Sequence, residues 1–441
     1  MLACFPPTPQ RRSASLAFRR WQAACVPELH QQFREAALAV RALLDSDSSP
    51  QTHPGFSDAA VQDLAYAALR SWGLAQARLA RLAPKAPDPL LMSLLSVAFS
   101  CLSRAYRADA VVVDQAVHCA RGLGGEPAAR FVNAVLRKTL LHPTDAQADE
   151  QTPLALWNAP RWWQEKILSQ LGHDRAEQVR KAQRAHPPFT LRLLGTELEQ
   201  REIAHRLGKG AQDLRWLGPQ TVIREPACDM AELPGFPEGL VRAQDDSAQR
   251  LFGLLGLKAG DQVLDACAAP GGKSFLLAEQ AAVDVWALDA SKTRLARLSR
   301  EMQRLSARLA GEVHPAQADL LLDDWPDLVP KEFDHIVLDA PCSGSGVVCR
   351  HPEIPWRRSE AQLAGLVRVQ AELLQRLWKR LKPGGEFVYI VCSIFEEEAQ
   401  AQVNHWMDQQ PDATPLSSPG LILPALGERD GFFYARFQKA R

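Results

Sequence analysis

The sequence lacks several features that would each assign it to a class of protein. Lysine plus arginine and aspartate plus glutamate number 51 each, so no overall basic excess indicates a nucleic-acid partner. No apolar run reaches the roughly 18 residues of a membrane helix, and no Gly-x-Gly-x-x-Gly loop indicates a nicotinamide-dependent dehydrogenase. The nine cysteines form no Cys-x-x-Cys pair, which suits a reducing cytoplasm and argues against a metal site. We therefore expect a cytoplasmic globular protein without a membrane span.

Charge is nevertheless uneven along the chain. Between Arg70 and Arg107 six basic residues accompany one acid, and between Arg350 and Lys382 eight basic residues accompany three acids. A local basic face can bind phosphates on a neutral molecule, although most such faces are only solvated. Before Glu28 there is no acid at all, and we interpret this basic start as an extension ahead of the first domain.

The chain is long enough for two or three domains. Hydrophobic residues recur at helical spacing from about Ser57 to Pro143 and predict a small helical bundle. A polar, acidic stretch over 142–150 is typical of a linker, and a mixed segment follows it. From Gly260 onward apolar strands alternate with helices, which predicts a doubly wound α/β domain. The predicted division is a basic extension, in part helical (1–50), a helical domain (51–145), a small α+β linking subdomain (150–242) and an α/β domain (243–441).

One stretch of the α/β domain predicts a nucleoside-binding loop. A short strand ends at Asp265, the loop continues through Cys267-Ala268-Ala269-Pro270-Gly271-Gly272-Lys273 into a helix, and a second strand ends at Asp289. The separation of the two aspartates, 289 − 265 = 24, is close to the roughly 20 residues that place a second-strand carboxylate on a ribose. Glycine carries no Cβ, so a ligand can lie directly against this backbone. The alternative is an ordinary strand–turn–helix without a ligand.

Two cysteines follow two later strands of the same domain. One strand runs through Asp339-Ala-Pro into Cys342, and the next ends at Val391, directly before Cys392. Because ligands bind beyond the carboxyl ends of the strands in such sheets, neighbouring strands would bring both thiols to one rim. The alternative is that both are buried apolar residues, as free cysteines often are.

Two thiols beside a nucleoside site suit methyl transfer to carbon 5 of a pyrimidine. Carbon 5 is a weak nucleophile until a thiolate adds to carbon 6, and a base must later remove the carbon 5 proton so that the thiolate can leave. Asp339 is placed to support the addition at the ring nitrogen. A free cysteine has a pKa of roughly 8.5, so the site must favour the thiolate. The residues alone do not decide which thiol attacks.

These stretches resemble the signature motifs of the Sun-type family of S-adenosylmethionine-dependent RNA cytosine-C5 methyltransferases, and within it the bacterial branch that modifies 16S rRNA. The resemblance implies a NusB-like helical RNA-binding domain ahead of a Rossmann-like class I methyltransferase domain. It covers the chain from about Ser57 to the C-terminus. The core motifs that carry it are Asp265–Lys273, Asp339–Gly346 and Val391–Ser393. The further matching segments are Phe131–Arg137, Pro187–Arg192, Gln244–Gln249, Arg350–Glu353 and Asp430–Phe433.

The resemblance also implies a role for each matched residue. Cys267 to Lys273 would line the methionine end of S-adenosyl-L-methionine, Asp289 would hold its ribose, and Asp319 would lie near its adenine. Asp339, which borders both the cofactor and the base, would contact the target cytosine. Cys392 would be the nucleophile, and Cys342 would assist product release as the base or beside it.

Two positions depart from the family pattern. Val391 stands where the family usually has threonine, and Ala399 stands where it has asparagine. A lost hydroxyl and a lost amide could loosen the loop around Cys392. Neither change removes a thiol or Asp339, so we expect activity to be retained.

The expected substrate is 16S rRNA, free of protein or in an early assembly state, bound by a monomer that needs no metal. Arg350, Arg357 and Arg358 are candidate RNA contacts near the rim of the sheet. Two alternatives stay open: methylation of another RNA such as tRNA, and a non-catalytic RNA-binding assembly factor. Binding of S-adenosylmethionine would separate the second alternative from an enzyme.

Overall fold

The structure is a computed structural model that describes residues 29–45, 58–208 and 213–441 of the 441-residue chain. Most of the predicted basic extension therefore lies outside the described residues. The chain divides into two compact units. The first contains the described residues up to Gln164 together with Pro355–Arg357, and the second contains Glu165–Ile354 and Arg358–Arg441. Across the described ranges, no helix combines the length and apolar character needed to cross a bilayer.

The first unit is a helical bundle. Several of its helices begin where the sequence supplies a capping side chain: Asp58 accepts the Ala60 N–H at 2.7 Å, and Asp88 accepts the Leu90 N–H at 2.9 Å just before Pro89. The helices are α1 (29–45), α2 (Ala59–Arg70), α3 (Trp72–Leu82), α4 (Pro89–Ser103), α5 (Asp109–Leu141), α6 (Pro143–Glu150) and α7 (Pro153–Trp157).

Helix α5 consists of two helices that meet at a kink, with non-helical backbone at Gly124 and Gly125. The bundle differs from the sequence prediction in two places. Residues 29–45, assigned above to a partly helical extension outside the domain, form a helix whose Phe33 and Val40 belong to the bundle core. The stretch over 142–150, predicted to be a linker, is the helix α6. Its acidic residues are ordered by arginines of α3, because Arg81 pairs with Asp149 at 2.6 Å and Arg78 pairs with Glu150 at 3.1 Å.

The second unit begins with most of α8 (Arg161–Arg184) and a small α+β subdomain, as the sequence predicts. The subdomain is an antiparallel sheet in the order β2-β3-β1-β4. Ile203 and Leu207 of its helix pack with Leu191 and Val222 of the sheet in one buried cluster. The elements are β1 (Thr190–Leu193), α9 (Glu197–Gly208), β2 (Asp213–Gly218), β3 (Thr221–Glu225) and β4 (Val241–Ala243).

The rest of the second unit is a seven-stranded doubly wound sheet, in agreement with the predicted fold class. The strand order is β10-β11-β9-β8-β5-β6-β7, with five parallel strands and two antiparallel strands at one edge. The strands are β5 (Gln262–Ala266), β6 (Asp284–Asp289), β7 (Glu312–Gln317), β8 (Phe333–Asp339), β9 (Leu381–Val391), β10 (Ala413–Ile422) and β11 (Phe432–Lys439). The helices are α10 (Asp246–Gln249), α11 (Gly272–Ala278), α12 (Lys292–Leu305), α14 (Glu360–Trp378) and α15 (Gln400–Met407). The short helix α13 (Ile354–Arg357) precedes α14 in the chain, and its residues from Pro355 onward belong to the first unit.

Alternate residues of the central strands pack on opposite faces of this sheet. Val263 of β5 shares a core with Phe275 of α11, whereas Leu264 shares another core with Leu374 of α14. Both faces are therefore covered, which explains why these strands are continuously apolar. The carboxyl ends of the parallel strands β5, β6, β8 and β9 lie at one rim of the sheet, where Asp289 ends β6 and Asp339 ends β8.

Candidate active site

The turn after β5, residues 267–271, is the predicted cofactor turn. Its backbone conformation depends on glycine. Gly271, which directly precedes α11, has φ +102°, and a Cβ at this position would lie 2.7 Å from the Leu298 Cγ atom. Cys267 also has a positive φ, +62°. Two backbone contacts stabilise the turn: the Gly271 N–H donates to the Ala268 carbonyl at 2.8 Å, and the Ala268 N–H donates to the Leu288 carbonyl at 2.9 Å. The turn is therefore tied to the end of the neighbouring strand β6.

Asp289 ends β6 with both carboxylate oxygens engaged. Oδ2 accepts the Ala269 N–H at 3.2 Å, and Oδ1 accepts the Ser291 N–H at 2.8 Å. Arg294, in the first turn of α12, pairs with Oδ1 at 2.9 Å. These three donors hold the carboxylate in one orientation at the rim.

Asp339 ends β8 and pairs with Lys273, which lies in the first turn of α11. The Lys273 Nζ atom lies 2.6 Å from the Asp339 Oδ2 atom. Burial lowers the pKa of Lys273, but the Asp339 carboxylate more than offsets this and raises it above the ordinary value. Lys273 therefore stays charged and anchors Asp339 beside the cofactor turn.

The two cysteines meet at the same rim, because β8 and β9 are adjacent parallel strands. The Cys342 Sγ and Cys392 Sγ atoms are 3.3 Å apart. The hydrogen bond between these sulfurs, together with burial, raises the pKa of the Cys342 thiol well above its ordinary value. The Gly346 N–H donates to the Cys392 carbonyl at 3.0 Å and links the two cysteine-bearing turns.

A cavity of about 350 Å³ opens between these strand ends. It is lined by acidic, sulfur-containing and apolar side chains together. The lining residues are Cys267, Ala269, Asp289, Ala290, Arg294, Ala318, Asp319, Leu320, Leu321, Asp339, Ala340, Pro341, Cys342, Val369, Leu373 and Cys392. A site with apolar walls and a few convergent polar groups is typical of nucleoside-sized ligands.

The structure thus brings most of the predicted site residues to one cavity. Of the predicted turn, Cys267 and Ala269 line it, Gly271 shapes the backbone, and Lys273 reaches Asp339. Ala268, Pro270 and Gly272 are not among its lining residues. Sequence reasoning missed Arg294 and the apolar wall formed by Leu320, Leu321, Val369 and Leu373. Their signal was weak, since one arginine, two leucines in the turn after β7 and two apolar residues of α14 form no motif.

The candidate RNA-contacting arginines lie in three different settings. Arg350 is bound within the protein, with Nε 2.6 Å from Asp430 and Nη2 2.9 Å from Asp245. Arg358 donates to the Ser343 carbonyl at 3.2 Å, next to Cys342. Arg357 belongs to the first unit. The partners of Arg350 suit a structural ion-pair cluster better than an open phosphate contact.

The two departures from the family pattern fall at buried positions. Val391 and Ala399 both pack in the core beside the sheet. The turn around Cys392 is nevertheless well supported, because the Ile394 N–H donates to the Ser345 hydroxyl at 2.9 Å and the Phe395 N–H donates to the Ser393 hydroxyl at 3.2 Å. The turn keeps these hydrogen bonds with valine at position 391 and alanine at position 399.

One group of side chains elsewhere on the sheet could hold a metal ion. Asp284, Glu312 and His314 place one potential ligand atom each within 4.8 Å of one another, at the start of β6 and β7. His314 is already hydrogen-bonded to Asp284 at 2.9 Å and stacks on Trp286. The group is far along the strands from the cysteine pair and takes no part in the site described above.

Comparisons with known proteins agree with this architecture. A family model described as 16S rRNA methyltransferase RsmB/F matches residues 252–438, and a NusB family model matches residues 8–140. The second match extends well before Ser57, the start of the resemblance described above. The NusB-like region therefore includes α1.

Two curated relatives and two solved structures illustrate the similarity. The ribosomal RNA small subunit methyltransferase B of Vibrio cholerae is 36% identical over 344 residues, which are 74% of this chain and 76% of that protein. Its counterpart in Pseudomonas putida is 34% identical over 400 residues, 86% of this chain and 90% of that protein. The crystal structure of PH0851 superposes with a TM-score of 0.75 at 23% identity, over 93% of this chain and 99% of that one. NSun6 from Pyrococcus horikoshii, solved with SFG, gives 0.53 at 20% identity, over 65% of this chain and 100% of that one.

The fold and the cavity define a doubly wound methyltransferase that uses S-adenosyl-L-methionine. The cavity suits this cofactor, since the fixed Asp289 carboxylate, the apolar Leu320 and Leu321 and both thiols line the same space. With the relatives above, the chain belongs to the 16S rRNA methyltransferase RsmB/F family. It is an S-adenosylmethionine-dependent rRNA methyltransferase with an N-terminal NusB domain.

Proposed function

We propose that the protein methylates carbon 5 of a specific cytosine in 16S rRNA through a covalent bond between Cys392 and carbon 6 of the base. The observation that carries this proposal is the 3.3 Å separation of the Cys342 and Cys392 sulfurs at the cavity lined by Asp289 and Asp339. A methyl transfer to an oxygen or an exocyclic nitrogen needs no thiol, so a pair of them is best explained by carbon chemistry.

Each step can be assigned to residues at this rim. The Cys392 thiolate forms the sulfur–carbon 6 bond while Asp339 contacts the ring, and electron density rises at carbon 5. Asp289, Asp319 and the turn at Cys267 would hold S-adenosylmethionine, which would supply an electrophilic methyl group. Carbon 5 would form a bond to this methyl as the methyl–sulfonium bond breaks and S-adenosylhomocysteine leaves. Loss of the carbon 5 proton then breaks the sulfur–carbon 6 bond and restores the Cys392 thiolate. Cys342 lies beside the departing sulfur and assists this release as the base or next to it.

The substrate is proposed to be 16S rRNA that is free of protein or in an early assembly state, in the cytoplasm. A target cytosine has to leave its stack before a thiol can reach carbon 6, at a cost of a few kcal/mol. Bisulfite sequencing of 16S rRNA and tRNA from cells with and without the protein tests both the base and the RNA. A cytosine of 16S rRNA that resists bisulfite conversion only in cells with the protein supports the proposal. Such a difference confined to cytosines of tRNA would contradict it.

Cysteine variants test the covalent step. We expect Cys392→Ala to abolish methyl transfer, because no thiolate can then add to carbon 6. We expect Cys342→Ala to accumulate a protein–RNA adduct that survives denaturing electrophoresis, because release is slowed. Cys228→Ala, which removes a sulfur from the core of the small sheet, is the control and should turn over normally. An adduct trapped by Cys392→Ala instead would reverse the two assigned roles.

A further inference from the structure

Glu398 connects the two cysteine-bearing turns without reaching the cavity. Its side chain is fully buried. Oε1 accepts the Ser343 N–H at 2.7 Å and the Gln370 amide at 3.0 Å, while Oε2 accepts the hydroxyls of Ser343 and Ser393 at 2.5 Å each. Ser343 follows Cys342 and Ser393 follows Cys392. One carboxylate therefore binds the residue next to each sulfur.

Four donors reach Glu398: the Ser343 N–H, the hydroxyls of Ser343 and Ser393, and the Gln370 amide. Burial raises the pKa of Glu398, and these donors oppose the shift because each of them favours the ionised form. The Ser343 hydroxyl also accepts the Ser345 N–H at 3.3 Å. The Ser393 hydroxyl accepts the Phe395 N–H at 3.2 Å and lies 2.8 Å from the Ser345 hydroxyl.

Glu398 binds both the backbone N–H and the hydroxyl of the residue that follows Cys342. After the Cys392 hydrogen bond and burial, the negative charges of Cys392 and Glu398 contribute further to the raised pKa of Cys342. A negative charge next to a thiol disfavours its thiolate. Glu398 therefore favours the thiol form of Cys342.

We propose that Glu398 is a positioning residue that holds the two cysteine turns in contact and keeps Cys342 in its thiol form while Cys392 attacks as the thiolate. This inference rests on the proposed function, because the identity of the attacking sulfur has meaning only for addition to a pyrimidine. Its first test uses no RNA, so failure of the inference and failure of the proposed function can be told apart.

The first test measures thiol reactivity in the full-length protein. The variant Glu398→Gln keeps the side-chain length and removes the charge. We expect the initial rate of iodoacetamide alkylation of Cys342 at pH 8, followed by peptide mass spectrometry, to rise about tenfold, as for a thiol pKa lowered by about one unit. Glu397→Gln is the matched control: it removes the same charge one residue away, where the carboxylate binds Lys166 at 2.5 Å and Gln170 at 2.8 Å. A Cys342 rate within twofold of wild type in Glu398→Gln would overturn the electrostatic role.

The second test separates the contact from the charge. Glu398→Asp keeps the charge but is one methylene shorter, so it cannot bind both Ser343 and Ser393. We expect Cys342 alkylation to stay close to wild type while kcat for methyl transfer falls at least tenfold and the KM values for RNA and S-adenosylmethionine stay within twofold. An unchanged kcat would overturn the positioning role. The two variants probe different properties, so a folding failure of one, seen by circular dichroism, leaves the other decisive.

Discussion

Asp265, the penultimate residue of β5, has a carboxyl group that is wholly enclosed by protein. Oδ2 accepts the Ser274 hydroxyl at 2.5 Å, while Oδ1 is buried without a hydrogen-bond partner. Burial raises the pKa of Asp265 to about 7, and Ser274 and Lys273 offset only part of this. The strand end that starts the cofactor turn therefore carries an acid that changes its charge near neutral pH.

The pH dependence of stability follows from this shift. The folded pKa lies above that of an unfolded aspartate, roughly 3.9, so the folded state holds the proton more tightly. The stabilising contribution of the protonated group is complete below about pH 4 and is lost as the pH rises through about 7. Asp265→Asn cannot titrate. We expect its unfolding free energy relative to wild type to increase by about 4 kcal/mol between pH 4 and pH 8, measured by urea denaturation. A difference that stays flat across this range would contradict the assignment.

Some of the site could be predicted from single residues and some could not. Asp265, Asp289, Asp339, Cys342 and Cys392 each follow an apolar run, and the carboxyl end of a parallel strand is where a ligand binds. Glu398 gives no such signal. Its hydrogen-bond partners lie 55, 28 and 5 positions away, and only the packed fold brings them to one carboxylate.

At the scale of elements, the small sheet is joined to α11 by a buried ion-pair cluster. Glu279, at the C-terminal end of α11, binds Arg192 of β1 at 3.1 Å and Arg242 of β4 at 2.5 Å. Arg242 also donates to the Gly272 carbonyl at 3.2 Å, at the first residue of α11. One carboxylate thus links two strands of the subdomain to the helix that follows the cofactor turn.

Removing this carboxylate should leave two buried guanidinium groups without a counter-charge. We expect Glu279→Gln to lower the unfolding free energy by about 3–5 kcal/mol and to weaken S-adenosylmethionine binding, because Arg242 then holds Gly272 less firmly. Urea denaturation and calorimetric titration measure the two effects. Glu177→Gln, which removes the same charge from a surface pair with Arg180 on α8, is the control and should leave both quantities unchanged. Equal stability of the two variants would show that the cluster contributes nothing to folding.

Helices and strands could be predicted where the apolar periodicity was strong. The prediction failed where side-chain pairing decided the conformation. The central strands and α12 follow from their apolar pattern. Strand β10 does not follow from such a pattern, because Pro415 and Pro419 interrupt it. The sheet edge tolerates these prolines, and the register of β10 shifts between Leu416 and Gly420. Helix α6 is polar throughout, and its order depends on Arg78 and Arg81, more than 60 positions earlier.

At the scale of the whole molecule, equal numbers of acids and bases leave RNA binding to local charge. The basic stretch of the bundle is less positive than its sequence indicates. Arg78 and Arg81 pair with acids of α6, and Arg104 pairs with Asp63. Arg107 is exposed instead, resting on the Tyr106 ring at 4.6 Å and donating to a backbone carbonyl.

This difference predicts which arginines contribute to phosphate binding. Affinity for RNA falls with salt in proportion to the phosphates that are neutralised, with a slope of about 0.7–0.9 per contact. We expect Arg107→Gln to reduce the slope of log affinity against log salt by about 1 for a 16S rRNA fragment, because its charge is available to a phosphate. Arg104→Gln removes the same charge from a guanidinium that both Asp63 oxygens already bind at 3.1 Å, and should change the slope much less. Fluorescence anisotropy between low and physiological salt measures both. If the two variants changed the slope equally, net charge alone would govern docking, and the pairing of arginines in the bundle would be irrelevant to RNA recognition.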